Sequence, residues 1–178
     1  LINLQNESYI DTPFWSFLTG LYFQDKGNYT IAERYYQKMI KFEYNEERAY
    51  YNLGTMYAKS DIQYGLNFFL KALQILEIDT SKYQFEYPYA LEKMAEAHAA
   101  LRNFSEAEKY YDKAINFNRN LFGNKSYQAL ERYVGLGLFY AKFQKYNKAI
   151  TLLSDAEILS SGLTANHREV RANILNTL

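Results

Sequence analysis

A thirteen-residue segment occurs twice in this chain, and its recurrence constrains the fold more than any other feature. NYTIAERYYQKMI at residues 28–40 returns at residues 103–115 as NFSEAEKYYDKAI, without a gap and with seven of thirteen letters identical. In both copies, apolar and small residues recur at the three- and four-residue spacing of one helix face. The pattern predicts one amphipathic helix used twice, and therefore an architecture of repeated units.

Each copy also carries a signal for a helix start, a hydroxyl residue three positions before a glutamate. These are Thr30 with Glu33 and Ser105 with Glu108. In such a capping box the hydroxyl accepts a hydrogen bond from a backbone N–H, so we expect both helices to begin at the hydroxyl residue. N-x-[ST] sequences, which could mark glycosylation, occur at Asn6, Asn28, Asn103 and Asn124, and at Asn28 and Asn103 the Thr or Ser is already explained as a helix cap.

The repeated unit is a pair of helices, because a second helical pattern precedes each copy. The same pairing recurs at residues 50–73 and 133–156. Small residues in the middle of each first helix are spaced by 34, 41 and 42 positions, at Gly20, Gly54, Ala95 and Gly137. Periods of this size predict a solenoid, and the extra residues at two junctions predict longer helices or ordered turns.

These recurring positions resemble the tetratricopeptide repeat. The second unit carries the family's aromatic, Leu-Gly, Tyr and Ala positions as Tyr50, Leu53, Gly54, Tyr57 and Ala72. The resemblance implies an all-α fold, a right-handed superhelical solenoid with one array over residues 1–178. The implied repeats cover about 13–46, 47–79, 88–121 and 130–163, followed by a capping helix or partial fifth repeat at about 165–178.

Composition limits the partners of the chain. Twenty Lys and Arg residues balance twenty Asp and Glu residues, so the formal net charge is zero. Nucleic acids and anionic membranes are held by an excess of basic residues, and we expect neither as a partner. Cysteine is absent, which excludes disulfides and thiolate metal sites and fits a reducing compartment. No apolar run reaches the roughly 18 residues of a membrane span, so we expect a cytoplasmic protein.

Residues that carry chemistry are few. The chain has two histidines and lacks phosphate-loop, serine-hydrolase and zincin motifs, so we expect no metal, no cofactor and no enzyme activity. His98 is expected to pack as a polar residue on the face between helices. Glu92 and Glu96 share one helix face, where they either act as acid and base or attract a basic group.

The resemblance also implies a concave groove lined by the first helix of each pair. The family's groove positions correspond here to Phe17, Leu21, Arg48, Tyr51, Asn52, Thr55, Lys59, Tyr89, Lys93, Glu96, Leu138 and Lys142. Asn52 either hydrogen-bonds a peptide backbone through its amide or belongs to the general repeat consensus. The chaperone-tail clamp of some family members needs Lys and Asn where this chain has Phe17 and Leu21, so that clamp is absent.

The beginning of the array is apolar. Phe14, Phe17, Leu18 and Leu21 lie at groove positions, where they either line a ligand pocket or are covered by a preceding helix. The chain starts at Leu1 and not at Met, which suggests a piece of a longer protein. Exposed array ends of this kind predict possible homo-oligomers.

The sequence therefore predicts a non-catalytic scaffold that binds a protein or an extended peptide on the concave face. An alternative arises because residues 14–75 are similar to peptide-sensing repeat domains of Gram-positive response-regulator phosphatases and pheromone-controlled regulators. In those proteins the groove binds a short secreted peptide, and the phosphatase residues lie in a separate helical bundle. No catalytic residue is carried over by this resemblance.

Overall fold

The computed structural model describes residues 12–123 and 126–160, and this part of the chain is helical with short turns and no strand. Eight helices follow in order: α1 Pro13–Asp25, α2 Tyr29–Lys41, α3 Glu46–Tyr57, α4 Ile62–Ile78, α5 Glu86–Ala100, α6 Phe104–Phe122, α7 Tyr127–Lys142 and α8 Tyr146–Ser160. Consecutive helices pack in pairs, α1 on α2, α3 on α4, α5 on α6 and α7 on α8. The fold is the all-α solenoid that the sequence predicts.

The chain divides into two compact units, Leu1–Tyr83 and Gln84–Leu178. In the first unit α2 packs on α3, so that two helical pairs share a core with Tyr36, Met39 and Leu53 fully buried. In the second unit α6 packs on α7, and α5 also contacts α7. A single array over residues 1–178 stays a prediction, and the predicted cap at 165–178 lies outside the described residues.

Small residues allow the two helices of a pair to cross closely. A Cβ atom built on the mid-helix glycine of three pairs would lie within 2.7 Å of a side chain of the second helix, in Gly20–Tyr36, Gly54–Phe69 and Gly137–Leu153. Ala95 takes the same place in α5 and is fully buried. The recurring small positions in the sequence therefore mark the helix crossings, where a larger side chain has no room.

The extra residues at the two long junctions lengthen the second helices and build a turn. The helix α4 has 17 residues and α6 has 19, as the sequence predicts. After α4, the Asp79 carboxylate accepts hydrogen bonds from the Ser81 hydroxyl at 2.6 Å and from the Lys82 backbone N–H at 3.1 Å. These hydrogen bonds hold the pKa of Asp79 below its ordinary value and order the turn.

The capping-box prediction is wrong in both copies. The helix α2 starts at Tyr29, because Asn28 is its N-cap and accepts a hydrogen bond from the Ile31 N–H at 3.3 Å. In α6 the N-cap is Asn103, without a side-chain cap hydrogen bond. Thr30 and Ser105 therefore lie inside the first turn. An asparagine two residues upstream takes the N-cap position in both copies, and in α2 its side chain makes the cap hydrogen bond that the capping box assigns to Thr30.

The turn between the two helices contains a left-handed residue in three of the four described pairs, and this residue is glycine in only one of them. Gly27 has φ 72°, whereas Arg102 and Gln144 hold the same place with φ 62° and 59°. In each case the next backbone N–H donates to a carbonyl five residues upstream, as in a Schellman motif. A side chain with a Cβ atom is strained in this conformation, roughly by 1–2 kcal/mol.

We expect Arg102→Gly and Gln144→Gly each to raise the free energy of unfolding by about 0.5–1 kcal/mol. The gain is the steric strain relieved in the folded state minus the conformational entropy that glycine adds to the unfolded chain. Urea unfolding with unchanged slope measures the gain. Arg102→Ala is the matched control, because it removes the long side chain but keeps the strained Cβ. Equal stabilisation by alanine and glycine would contradict the role assigned to the backbone.

Candidate binding surfaces on the first helices

In the first unit, residues of α1 and α3 meet on one surface. The Arg48 guanidinium carbon lies 5.9 Å from the centroid of the Phe17 ring, a cation–π contact between the two first helices. Phe17 is half-buried against the core, and Arg48 is exposed. Two of the predicted groove residues, thirty-one positions apart in the chain, are thus brought together.

Asn52 lies one helical turn after Arg48 and is only 9% exposed. No hydrogen bond joins its carboxamide to another described residue. The neighbouring predicted residues are engaged, since the Thr55 hydroxyl donates to the Tyr51 carbonyl at 3.1 Å and the Tyr51 ring lies 5.8 Å from that of Phe69. The exposed fraction of Asn52 leaves its amide in contact with little solvent, so a ligand backbone could replace that water by direct hydrogen bonds.

The other two predicted residues of this unit are Leu21, further along α1, and Lys59, in the turn after α3. The Lys59 ammonium donates to the Tyr29 hydroxyl at 3.1 Å and lies 5.5 Å from the centroid of that ring. Leu21 is exposed on α1, as are Phe14 and Leu18. The helix α1 therefore presents an apolar side chain on every turn of one face, while Lys59 is tied to the start of α2.

In the second unit, Tyr89 of α5 lies among cations. The Lys93 ammonium is 5.5 Å from the centroid of its ring, and the Arg132 guanidinium carbon of α7 is 5.7 Å away. Lys93 also pairs with Glu96 at 2.6 Å. Three predicted residues, Tyr89, Lys93 and Glu96, thus form one cluster on α5 that reaches α7 through Arg132.

The centre of this surface is an ion pair between Glu92 of α5 and Arg132 of α7. The two side chains are only 12% and 11% exposed, and Arg132 also contacts Glu131 at 3.2 Å. Gly135 gives the carboxylate room, because a Cβ atom there would lie 2.8 Å from Glu92 Oε1. Sequence reasoning missed Arg132. The one available signal was the charge of Arg132, which is opposite to that of Glu92 and lies about one repeat later at nearly the same position within the repeat.

The last two predicted residues, Leu138 and Lys142, lie one turn apart on α7. Both are exposed, and the Lys142 ammonium is 5.9 Å from the centroid of the Phe143 ring. They extend the exposed face of α7 beyond the Arg132 cluster towards the end of the helix.

The two carboxylates considered as an acid and base pair serve different partners. Glu92 pairs with Arg132, and Glu96, whose side chain is 45% exposed, pairs with Lys93. This arrangement supports the reading in which each attracts a basic group. Residues 12–123 and 126–160 contain no group of three or more His, Cys, Asp or Glu side chains placed to hold a metal ion.

His98 packs between helices, where its ring stacks on that of Tyr110 with centroids 5.4 Å apart and planes 11° from parallel. Burial is the main cause that lowers the pKa of His98 below its ordinary value of 6.5, against the opposing effect of Glu106. The folded state therefore binds this proton less readily than the unfolded chain.

The stability contributed by neutral His98 is present above its ordinary pKa and is lost as the pH falls through the lowered folded value. We expect the unfolding free energy to drop between about pH 7.5 and about pH 5, and to drop less in His98→Phe, which keeps an aromatic ring but cannot be protonated. Urea unfolding of both proteins at the two pH values measures the difference. An identical drop in both proteins would assign the effect to other groups.

Comparison with known proteins matches part of the second unit to a repeat family. Residues 87–157, which reach from α5 into α8, match the family model of the tetratricopeptide repeat. The crystal structure of BtubC (BKLC) from P. vanneervenii is similar to this chain, with a TM-score of 0.73 and 19% sequence identity over 89% of this chain and 68% of that chain. Comparison with curated proteins found no match. Among the described helices, none combines the length and the apolar character that crossing a membrane requires.

Proposed function

Because residues 87–157 belong to the tetratricopeptide repeat family, we propose that this chain is a non-catalytic scaffold that binds a protein or an extended peptide on its first helices. Repeats of this family generally mediate protein–protein interactions. The observation that carries the proposal is the Asn52 carboxamide, nearly buried on α3 and without a hydrogen-bond partner among the described residues.

A peptide backbone suits Asn52 because each peptide unit offers one donor and one acceptor, and a carboxamide offers both in return. Such pairing does not depend on the ligand's side chains. Selectivity would come from the neighbours on the same surface, the exposed Arg48 guanidinium and the half-buried Phe17 ring. We therefore propose an extended segment with an apolar side chain next to an acidic one as the ligand of the first unit.

The alternative, a sensor of short free peptides, uses the same surface. Selection of two random libraries on the purified chain separates the two functions, one library of free peptides and one of the same segments held in a folded carrier protein, each counter-selected on Asn52→Ala. A short motif that the variant rejects would favour the sensor. Enrichment only of segments within folded proteins would favour the scaffold, and enrichment of neither on a folded chain would contradict both.

For any ligand obtained in this way, we expect Asn52→Ala to weaken binding by about tenfold, the loss of roughly one to two hydrogen bonds. The melting temperature should stay nearly unchanged, because the substitution breaks no hydrogen bond to another described residue. Asn67→Ala is the matched control, an exposed asparagine on the second helix of the same pair. Calorimetric titration measures both, and unchanged affinity in Asn52→Ala would remove this residue from the site.

The proposal also covers the setting of the protein. It needs no cofactor or metal, and it places the chain in the cytoplasm with neither nucleic acid nor membrane as partner. The exposed apolar side chains of α1, among them Phe14 and Leu18, support self-association through this end of the first unit. Sedimentation of the purified chain over a range of concentrations tests that part.

A further inference from the structure

The helix α1 carries apolar side chains on two opposite sides. Its inner side packs on the core of the first unit through Phe17 and Phe23, and Gly20 is buried there. The opposite side, the outer face, is formed by five residues that are between 36% and 57% exposed, Phe14, Trp15, Leu18, Leu21 and Tyr22. A helix that is apolar all round is usually covered on both sides, so the outer face is a candidate interface.

The outer face is uncharged. The helix α1 has no charged residue before its last one, Asp25, whereas each of the other seven described helices has at least two. A two-fold symmetric contact places a surface against its own copy, so that any charge on it meets a like charge. An uncharged apolar face avoids this repulsion and is therefore complementary to a second copy of itself.

The size of the outer face suits a reversible dimer. The exposed parts of its three aromatic and two leucine side chains amount to roughly 400–500 Å² on one copy, and so to about 800–1,000 Å² for a pair. Standard stable complexes bury about 1,200–2,000 Å², and weak, transient ones bury less. We therefore expect a dissociation constant of about 10–100 µM.

We propose that two copies of this chain pair through the outer faces of α1, with Leu18, the middle residue of the face, next to the two-fold axis. Leu21 belongs both to this face and to the predicted groove, and the neighbouring Phe17 contacts Arg48 of the proposed binding surface. Pairing thus covers part of that surface, so the paired chain and the ligand-bound chain exclude each other. This exclusion rests on the proposed function, whereas the pairing does not.

The test of the pairing needs no ligand. Trp15 is the one tryptophan of the chain and lies in the outer face, so its fluorescence reports on this surface. We expect sedimentation of the full chain to show monomer and dimer between about 1 and about 500 µM. Over the same concentrations the Trp15 emission should shift to shorter wavelengths, because pairing removes water from the ring. A monomer throughout would overturn the proposal, and so would a dimer with unchanged Trp15 emission.

Charged variants test the symmetry. Leu18→Glu and Leu18→Lys should each raise the dissociation constant at least about tenfold, since like charges meet at the axis, and an equal mixture of both should associate again. Leu70→Glu on α4 is the matched control and should leave association unchanged, because Leu70 is 41% exposed and Leu18 is 39% exposed. Unweakened pairing of Leu18→Glu, or no association in the mixture, would overturn the two-fold arrangement. If a charged variant does not fold, the Trp15 emission of the unaltered chain still decides the pairing.

A dimer that cannot dissociate tests the exclusion of ligand. The chain has no cysteine, so Leu18→Cys treated with oxidised glutathione can form only the disulfide between two copies. We expect the random library of free peptides to enrich a motif on the reduced variant, and the linked dimer to bind that motif at least about tenfold more weakly. Equal binding to both forms would overturn the exclusion. Enrichment on neither form would contradict the proposed function, and the Trp15 emission would still decide the pairing.

Discussion

Replacing Gly54 with leucine is expected to lower the free energy of unfolding by about 3 kcal/mol, the upper end of the cost of overpacking a core. Gly54 is buried in α3, and a Cβ atom there would lie 2.6 Å from the Phe69 ring, which is itself only 4% exposed. The ring belongs to α4, so relief requires the two helices of the pair to move apart. Urea unfolding at constant slope measures the loss.

A compensating substitution makes this prediction specific. In Gly54→Leu combined with Phe69→Ala the ring that meets residue 54 is gone, and we expect part of the lost stability to return relative to the sum of the single changes. Ala100→Leu, at an exposed helix end, is the control for added apolar bulk and should change stability by less than about 0.5 kcal/mol. If the losses of stability in Gly54→Leu and Phe69→Ala simply add in the double variant, the two side chains do not clash directly.

The second large effect concerns the Glu92–Arg132 pair. We expect Arg132→Met to lower the unfolding free energy by about 3 kcal/mol, because it leaves the Glu92 carboxylate enclosed without its cation. The side chains of both partners are nearly nine-tenths buried, so water compensates poorly. Chemical unfolding near neutral pH, where Glu92 is charged in the unfolded chain, gives the value.

Two comparisons separate loss of the pair from loss of packing. Arg132→Met combined with Glu92→Leu removes both charges and should recover most of the stability, since apolar replacements of buried pairs are often neutral or better. Lys93→Met breaks the more exposed pair with Glu96 and should lower stability by less than about 1 kcal/mol. If Arg132→Met is no worse than Lys93→Met, the Glu92 carboxylate is effectively solvated in the folded protein.

Much of the fold was predictable because its signals are local. Apolar periodicity identifies the helices, and the repeated small residues mark the crossings at Gly54 and Gly137, which the structure confirms. The helix starts were predicted wrongly because Asn28 and Thr30 are both good cap residues two positions apart. Which of them caps the helix depends on the direction in which the preceding turn at Gly27 leads the backbone into the helix. No sequence pattern predicts that direction.

The binding surfaces were predictable only in part. Repeat spacing placed Phe17 and Arg48 on facing first helices, and the structure brings them into contact. The same spacing placed Glu92 and Glu96 side by side without showing that they pair with different cations. Arg132 was not predicted, because its role depends on the directions in which the Glu92 and Arg132 side chains point from two different helices.

By itself, the sequence determined the helical pairs, their order and the small residues at which they cross, because these follow from interactions within a few turns of one chain. Only the tertiary structure decided which polar groups are satisfied. Arg132 pairs with Glu92, and two lysines pair with Glu108. The Asn52 carboxamide has no hydrogen-bond partner among the described residues. Pairing of this kind depends on distances between side chains that are remote in sequence, and their burial sets how much each pairing contributes.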